Sequence, residues 1–177
     1  MHNSTGLWVM KPSQAASVVD PDLFRKTCGR YATGIAVATV AGPDGTPHGL
    51  TVNSFTSVSC SPPLVLICVD YRCNILHLFR SSSWYGINVL TDRQRDLSVR
   101  FSQRDCDRFE GIAWRPTENG VPFIDACLAS LECCVSQTIE AGDHAILIAE
   151  VSAAKWGEGE PLVYFGSSYR HLLPQAR

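Results

Sequence analysis

Two long apolar, strand-like runs, Ala126–Ile139 and His144–Trp156, are joined only by Glu140-Ala141-Gly142-Asp143. So short a link makes a hairpin and leaves no room for a crossover helix. Upstream, Gly34–Ala41 reads as a strand that is apolar on both faces. Gly42-Pro43-Asp44-Gly45 then supplies turn chemistry, and the chain returns through Pro47–Val52 as a second hairpin. Leu64–Val69, Trp84–Leu90 and Pro161–Phe165 add further strands, the first of them apolar throughout.

Helices fall between these runs. Asp20 caps the first, with Pro21 at its first position and Leu23, Phe24, Cys28 and Tyr31 as its apolar face. Asn74–Ser81 places Ile75, Leu78 and Phe79 on one side, with Asn74 as its cap. Thr91-Asp92 opens a third helix of roughly three turns with Gln94, Leu97 and Phe101 facing inward. Glu110–Pro122 is rich in turn residues. Six or seven strands with about three helices do not make the regular β-α alternation of a doubly wound sheet. They predict a mainly β fold with peripheral helices, a closed or nearly closed antiparallel barrel. Residues 1–20 read as a flexible N-terminal arm and 21–177 as a single domain, consistent with a 177-residue chain that is 45% hydrophobic.

Several functions are excluded at this level. A net charge of −2 gives no reason to expect nucleic acid or an anionic membrane surface. No apolar run approaches the roughly 20 residues of a spanning helix, and the N-terminus lacks a signal peptide's basic start and apolar core, so a cytoplasmic location is expected. The eight cysteines include no Cys-x-x-Cys pair, and Cys68, Cys127 and Cys133 sit in apolar runs, which predicts buried thiols rather than bridges or zinc. The five histidines do not cluster as metal ligands. No dinucleotide-binding glycine fingerprint, phosphate loop or nucleophile elbow is present.

Three stretches could carry chemistry. Gly49–Pro63 is a polar, uncharged connection of about a dozen residues between strands, longer than a turn requires. Its small side chains would let a flat ligand with a polar edge approach the backbone. Gly142-Asp143-His144 places a titrating group at the head of an apolar strand, and strand alternation turns Asp143 away from His144. Gly166-Ser167-Ser168-Tyr169-Arg170-His171 follows the last strand and, alone, reads as a plain turn.

Taken together, Thr33-Gly34-Ile35, Gly49 to Pro63, Asn88-Val89-Leu90, Arg100-Phe101-Ser102, Gly142-Asp143-His144, and Tyr164-Phe165 with Tyr169 resemble the short-chain flavin reductases. These are the reductase components of two-component flavin-dependent monooxygenases. The match runs in order over roughly residues 22–172. It departs from the family pattern at Val52, where Ala is common, and at Ser167-Ser168. The resemblance implies a split β-barrel, usually a homodimer. It implies an NAD(P)H:flavin oxidoreductase that reduces FMN or FAD with NADH or NADPH and supplies a separate oxygenase. It also implies that Thr33, Thr51, Val52, Asn53, Ser54 and Ser59 surround the flavin, with Arg100 and Phe101 toward its phosphate. His144 would hold the nicotinamide as the catalytic residue, and Tyr169 would close that side. A tight-flavin oxidase, or a flavin- or haem-binding protein without turnover, stays open as an alternative.

Overall fold

The computed structural model of the chain describes residues 19–104 and 106–172. All but two residues of the expected N-terminal arm lie outside that range. Helix α1 (Pro21–Cys28) starts as expected, with the Asp20 carboxylate accepting the amides of Asp22 and Leu23 at 3.0 Å. Its apolar face, however, is not covered. Leu23 and Phe24 are 58% and 59% exposed, and Tyr31 beyond it is 80% exposed.

Strands β1 (Thr33–Gly34), β2 (Ala36–Ala41), β3 (Pro47–Val52), β4 (Thr56–Cys60) and β5 (Pro63–Asp70) follow. After helix α2 (Leu76–Ser81) come β6 (Trp84–Val89), a single 3-10 turn and helix α3 (Arg95–Ser102). The remainder is β7 (Trp114–Pro116), β8 (Pro122–Ile124), β9 (Ala129–Ala141), β10 (His144–Trp156), β11 (Val163–Phe165) and β12 (Ser168–Arg170). Seven strands form one antiparallel sheet in the order β3-β2-β6-β9-β10-β5-β4, while β1-β11-β12 and β7-β8 form two smaller ones.

The two edges of the large sheet, β3 and β4, are neighbours in sequence, linked only by residues 53–55. Four Cα steps reach at most about 14 Å. A flat seven-stranded sheet would hold its edges about 29 Å apart. The sheet must therefore curl until its edges nearly meet, which is a split barrel. Ser54 bridges the split by accepting the Cys68 amide of β5 at 2.9 Å and donating to its carbonyl at 3.1 Å.

The interior is filled by Ala36, Ala38, Val40, Val52, Ile67, Tyr85, Ile87 and Leu147, and by α2 through Leu76, Leu78 and Phe79. A second cluster lies outside the sheet, where Ile35, Val37, Leu90, Phe101, Phe109, Ile124 and Leu162 meet. Strand β2 is buried on both faces because successive residues feed these two clusters in turn.

Local details depart from expectation. The stretch 49–63 is mostly strand: it supplies the end of β3, all of β4 and the start of β5, interrupted only by a loop at 53–55 and a turn at 61–62. Its β-branched Thr and Val residues, alternating along a pleat, account for that. In β5 only Val65, Ile67 and Val69 are buried, while Leu64, Leu66 and Cys68 are half-buried on the other face. Asn74 does not cap α2, whose first turn has no side-chain cap; its amide donates instead to the Arg104 carbonyl at 3.4 Å. Gln94 belongs to the 3-10 turn, where it closes a capping box with Thr91. No helix among the described residues is long and apolar enough to cross a membrane.

All eight cysteines are free; Cys28, Cys60 and Cys106 are exposed, whereas Cys133 lies in the core. Burial pushes the Cys133 thiol up to about 12 and the Cys127 thiol up to about 11, from an ordinary 9.0. Between pH 9 and 11 the unfolded chain releases protons that the folded chain retains. Stability is therefore complete below pH 9 and falls as pH rises, by about 1.4 kcal/mol per unit for each thiol. Urea midpoints should drop between pH 8.5 and 10.5, and less steeply in a Cys127→Ala/Cys133→Ala variant. Equal slopes for the two proteins would contradict this account.

Candidate active site

Register across the small sheet sets Thr33 opposite Tyr164, and Tyr164 opposite Tyr169. Residues directly opposite one another project to the same face. The two tyrosine rings meet edge-on with centroids 5.5 Å apart. Thr33 Oγ1 is buried and, among the described residues, has no hydrogen-bond partner. Such a hydroxyl is destabilising by about 1–3 kcal/mol unless something supplies a partner. Gly166 and Ser167, at φ 57° and 61°, make the turn that folds β12 back on β11. The tail is thus a hairpin that carries Tyr169, not a plain turn.

Tyr169 connects this row to the large sheet. Its hydroxyl lies 2.9 Å from Ser98 Oγ, and the Ser98 carbonyl accepts from Thr51 Oγ1 at 2.6 Å. Ser98 is fully buried on α3 and was not expected at the site. Its position three residues before Phe101, on the same helical face, is the signal that could have found it. Gly49 and Thr51 lie on the open edge of β3, since the Gly49 carbonyl accepts from Arg108 Nη1 at 2.7 Å. Backbone groups two residues apart in a strand face the same way, so those of Thr51 also point away from β2. Val52 turns its side chain into the barrel, and Asn53 is exposed in the loop beyond.

A cleft of about 180 Å³ opens beside Thr51, lined also by Phe101, Asp70, Cys73, Arg104 and Arg108. Next to it is a cleft of about 320 Å³ to which His48, Asn74, Arg104 and Arg108 contribute. Neither arginine was singled out by sequence. Arg100, which was, is turned elsewhere: its guanidinium donates to the Glu110 carbonyl at 2.5 Å and lines a separate cleft with Leu97, Gly111 and Ile112. One helical residue rotates the side chain by about 100°, enough to separate Arg100 from Phe101. Ser59 sits on β4, with its hydroxyl turned back to the Ser61 amide at 3.3 Å.

His144 opens β10 directly opposite Asp70 of β5, a residue that lines the Thr51 cleft, but His144 is not itself among the residues lining it. Arg72 engages Asp70 with Nε at 3.1 Å and Nη2 at 2.6 Å and holds its carboxyl well below the usual carboxylate range. Asp143 does not turn away from His144 as strand alternation predicts. Its Oδ1 lies 2.7 Å from His144 Nδ1. The reason is that Asp143 belongs to the turn, entered through Gly142 at φ 60°, and alternation applies only within a strand.

A family model described as the flavin reductase like domain matches residues 28–173. The chain belongs to the flavin reductase-like family. The reductase subunit HsaB of a flavin-dependent monooxygenase from Mycobacterium tuberculosis is 36% identical over 163 residues, covering 89% of this chain and 85% of that protein. The stachydrine N-demethylase reductase subunit Stc3 of Rhizobium meliloti is 38% identical over 140 residues; the match spans 79% of this chain and 61% of that longer relative. Among solved structures, the NADH:FAD oxidoreductase SgcE6 of Streptomyces globisporus, in complex with NAD and FAD fragments, superposes with a TM-score of 0.84 at 35% identity. That alignment covers 92% of this chain and 100% of the other. The flavin reductase-like fold and the split barrel deduced from the short β3–β4 link therefore agree.

Proposed function

We propose that this chain is an NAD(P)H-dependent flavin reductase that reduces FMN or FAD and releases the reduced flavin to a separate flavin-dependent oxygenase. The observation that carries the reading is the buried Thr33 hydroxyl, which has no partner among the described residues. It stands in one row with Tyr164 and Tyr169, and Tyr169 is tied through Ser98 to Thr51. Bound flavin supplies the two-electron chemistry, accepting hydride from the nicotinamide. The protein's contribution is position. The backbone of Thr51 to Ser54 meets the polar edge of the ring system, and Thr33 adds a hydroxyl. Arg104 and Arg108 share the Thr51 cleft, which supports assigning them, in place of Arg100, to the flavin phosphate. His144 holds the nicotinamide carboxamide.

The same reading includes a homodimer, supported by the apolar surface left open at Leu23, Phe24, Val58 and Trp156, the last 80% exposed. It also includes a cytoplasmic setting, which suits eight unbridged cysteines.

NADH consumption by the pure protein, with and without FMN or FAD, tests the activity. Turnover should require flavin and saturate in both substrates. Flavin binding without turnover on either nicotinamide would replace this reading with that of a binding protein. Thr33→Val tests the site. Removing an unpartnered hydroxyl should leave the flavin-free protein at least as stable, yet weaken flavin binding roughly tenfold. Unchanged flavin affinity would remove Thr33 from the site.

A further inference from the structure

We propose that the cleft next to the Thr51 cleft is a subsite for an adenosine 5′-diphosphate group, and that FAD is the ligand that brings it, so that the protein prefers FAD to FMN. The proposal deepens the flavin-reductase reading and rests on it for the ligand. The two clefts adjoin. Asn74, Arg104 and Arg108 line both of them. Their aromatic walls, Phe101 in the first and Phe109 in the second, meet edge-to-face at 4.9 Å between centroids. At about 180 Å³ the first cleft falls below the roughly 300–1,000 Å³ of an ordinary ligand pocket. With the neighbouring cleft of about 320 Å³ the pair falls within that range.

Charge decides what kind of ligand spans them. Arg108 is fixed at the junction by donating from Nη1 to the Gly49 carbonyl at 2.7 Å and from Nε to the Gln103 carbonyl at 2.6 Å. Neutral carbonyls leave its positive charge uncompensated, and its other N–H donors remain for a ligand. Among the described residues neither Arg104 nor Arg108 pairs with a carboxylate. Asp70, in the first cleft, is engaged by Arg72, and Asp107, in the second, accepts the Phe109 amide at 3.0 Å. The ligand that suits this arrangement carries its negative charge in the middle and a neutral, flat group at each end. FAD has that form, with a pyrophosphate between isoalloxazine and adenosine. The phosphate of FMN ends the molecule, so FMN leaves the second cleft unused.

The second cleft also suits a purine. Ile75 and Phe109 are buried and give it an apolar floor. The His48 ring packs against the turn between β2 and β3, where a Cβ on Gly42 would come within 3.2 Å of Nε2. An imidazole held in this way offers a face on which a base stacks. A nicotinamide dinucleotide carries the same adenosine diphosphate. The Gly49 carbonyl that holds Arg108, however, lies on the edge of β3 that continues to Thr51, the edge assigned to the flavin ring. FAD is therefore the source.

Calorimetry on the flavin-free full chain, without nicotinamide, tests this with FAD, FMN and ADP. FAD should bind roughly tenfold or more tightly than FMN, and ADP should compete with FAD. Cys106→Trp fills the second cleft from its exposed rim, and His48→Ala removes the stacking face. Each should weaken FAD and ADP about tenfold and FMN by less than about twofold. Equal affinities for FAD and FMN, ADP that does not compete, or equal losses for both flavins would overturn the proposal. A raised KM for NADH in these variants, with FMN as the flavin, would overturn the assignment to FAD and give the subsite to the nicotinamide dinucleotide. Absent turnover would count against the reductase reading alone, because the affinities decide the subsite without it.

Discussion

Phe101→Ala is expected to destabilise the protein by about 3–5 kcal/mol, the range for emptying a fully buried aromatic site. Phe101 is 1% exposed at the centre of the outer cluster and meets Phe109 edge-to-face at 4.9 Å between centroids. A loss of that size is a large part of the roughly 5–15 kcal/mol that holds a domain together. The neighbours cannot collapse into the space easily. The Gly49 backbone already lies against the ring, since a Cβ there would come within 2.8 Å of Phe101 Cε1. The same ring lines the Thr51 cleft, so flavin affinity should fall with stability. Urea unfolding of the flavin-free variant separates the two effects. A loss below about 1 kcal/mol would mean that the outer cluster repacks freely, contrary to the close contacts seen.

The second large effect is expected at Gly86. An alanine Cβ there would lie 2.5 Å from Thr39 Oγ1 and 2.8 Å from Val121 Cγ1. Thr39 cannot yield cheaply, because its buried hydroxyl donates to the Pro122 carbonyl at 2.6 Å and accepts from Asn88 Nδ2 at 3.1 Å. Relief therefore strands a buried polar group or displaces the β7–β8 ribbon. Overpacking and the lost hydrogen bond together should cost about 3 kcal/mol or more. Thr39→Ala in the Gly86→Ala background removes the main clash. The double variant should accordingly be less destabilised than the sum of the singles, by about 1–2 kcal/mol. Strict additivity would show that the Gly86–Thr39 contact is not the cause.

Much of this fold follows from local patterns. The Asp20 cap, the Gly42–Gly45 turn, the β9–β10 hairpin and the two-faced burial of β2 all depend on neighbours in the chain, and each is observed. Other features could not be read that way. The assignment of Asn74 as a cap failed because its amide has a partner thirty residues away, at Arg104. Gly86 reads simply as a residue within a strand; its purpose depends on Thr39, which lies across a register that alternation cannot supply.

The site divides along the same line. By itself the sequence determined the antiparallel barrel class and the family, and it singled out Thr33, Thr51, His144 and Tyr169 as candidates. Hydrophobic periodicity, turn chemistry and motif order are properties of neighbouring residues. Only the tertiary structure decided which of those residues meet. It joined Thr51 and Tyr169 through Ser98, left Thr33 Oγ1 without a partner among the described residues, and turned Arg100 out of the cleft that Arg104 and Arg108 line. It also set Asp143 against His144. The physical reason is that side-chain direction at a helix or turn is fixed to within an ångström by packing against distant strands. Proximity in sequence carries no such constraint.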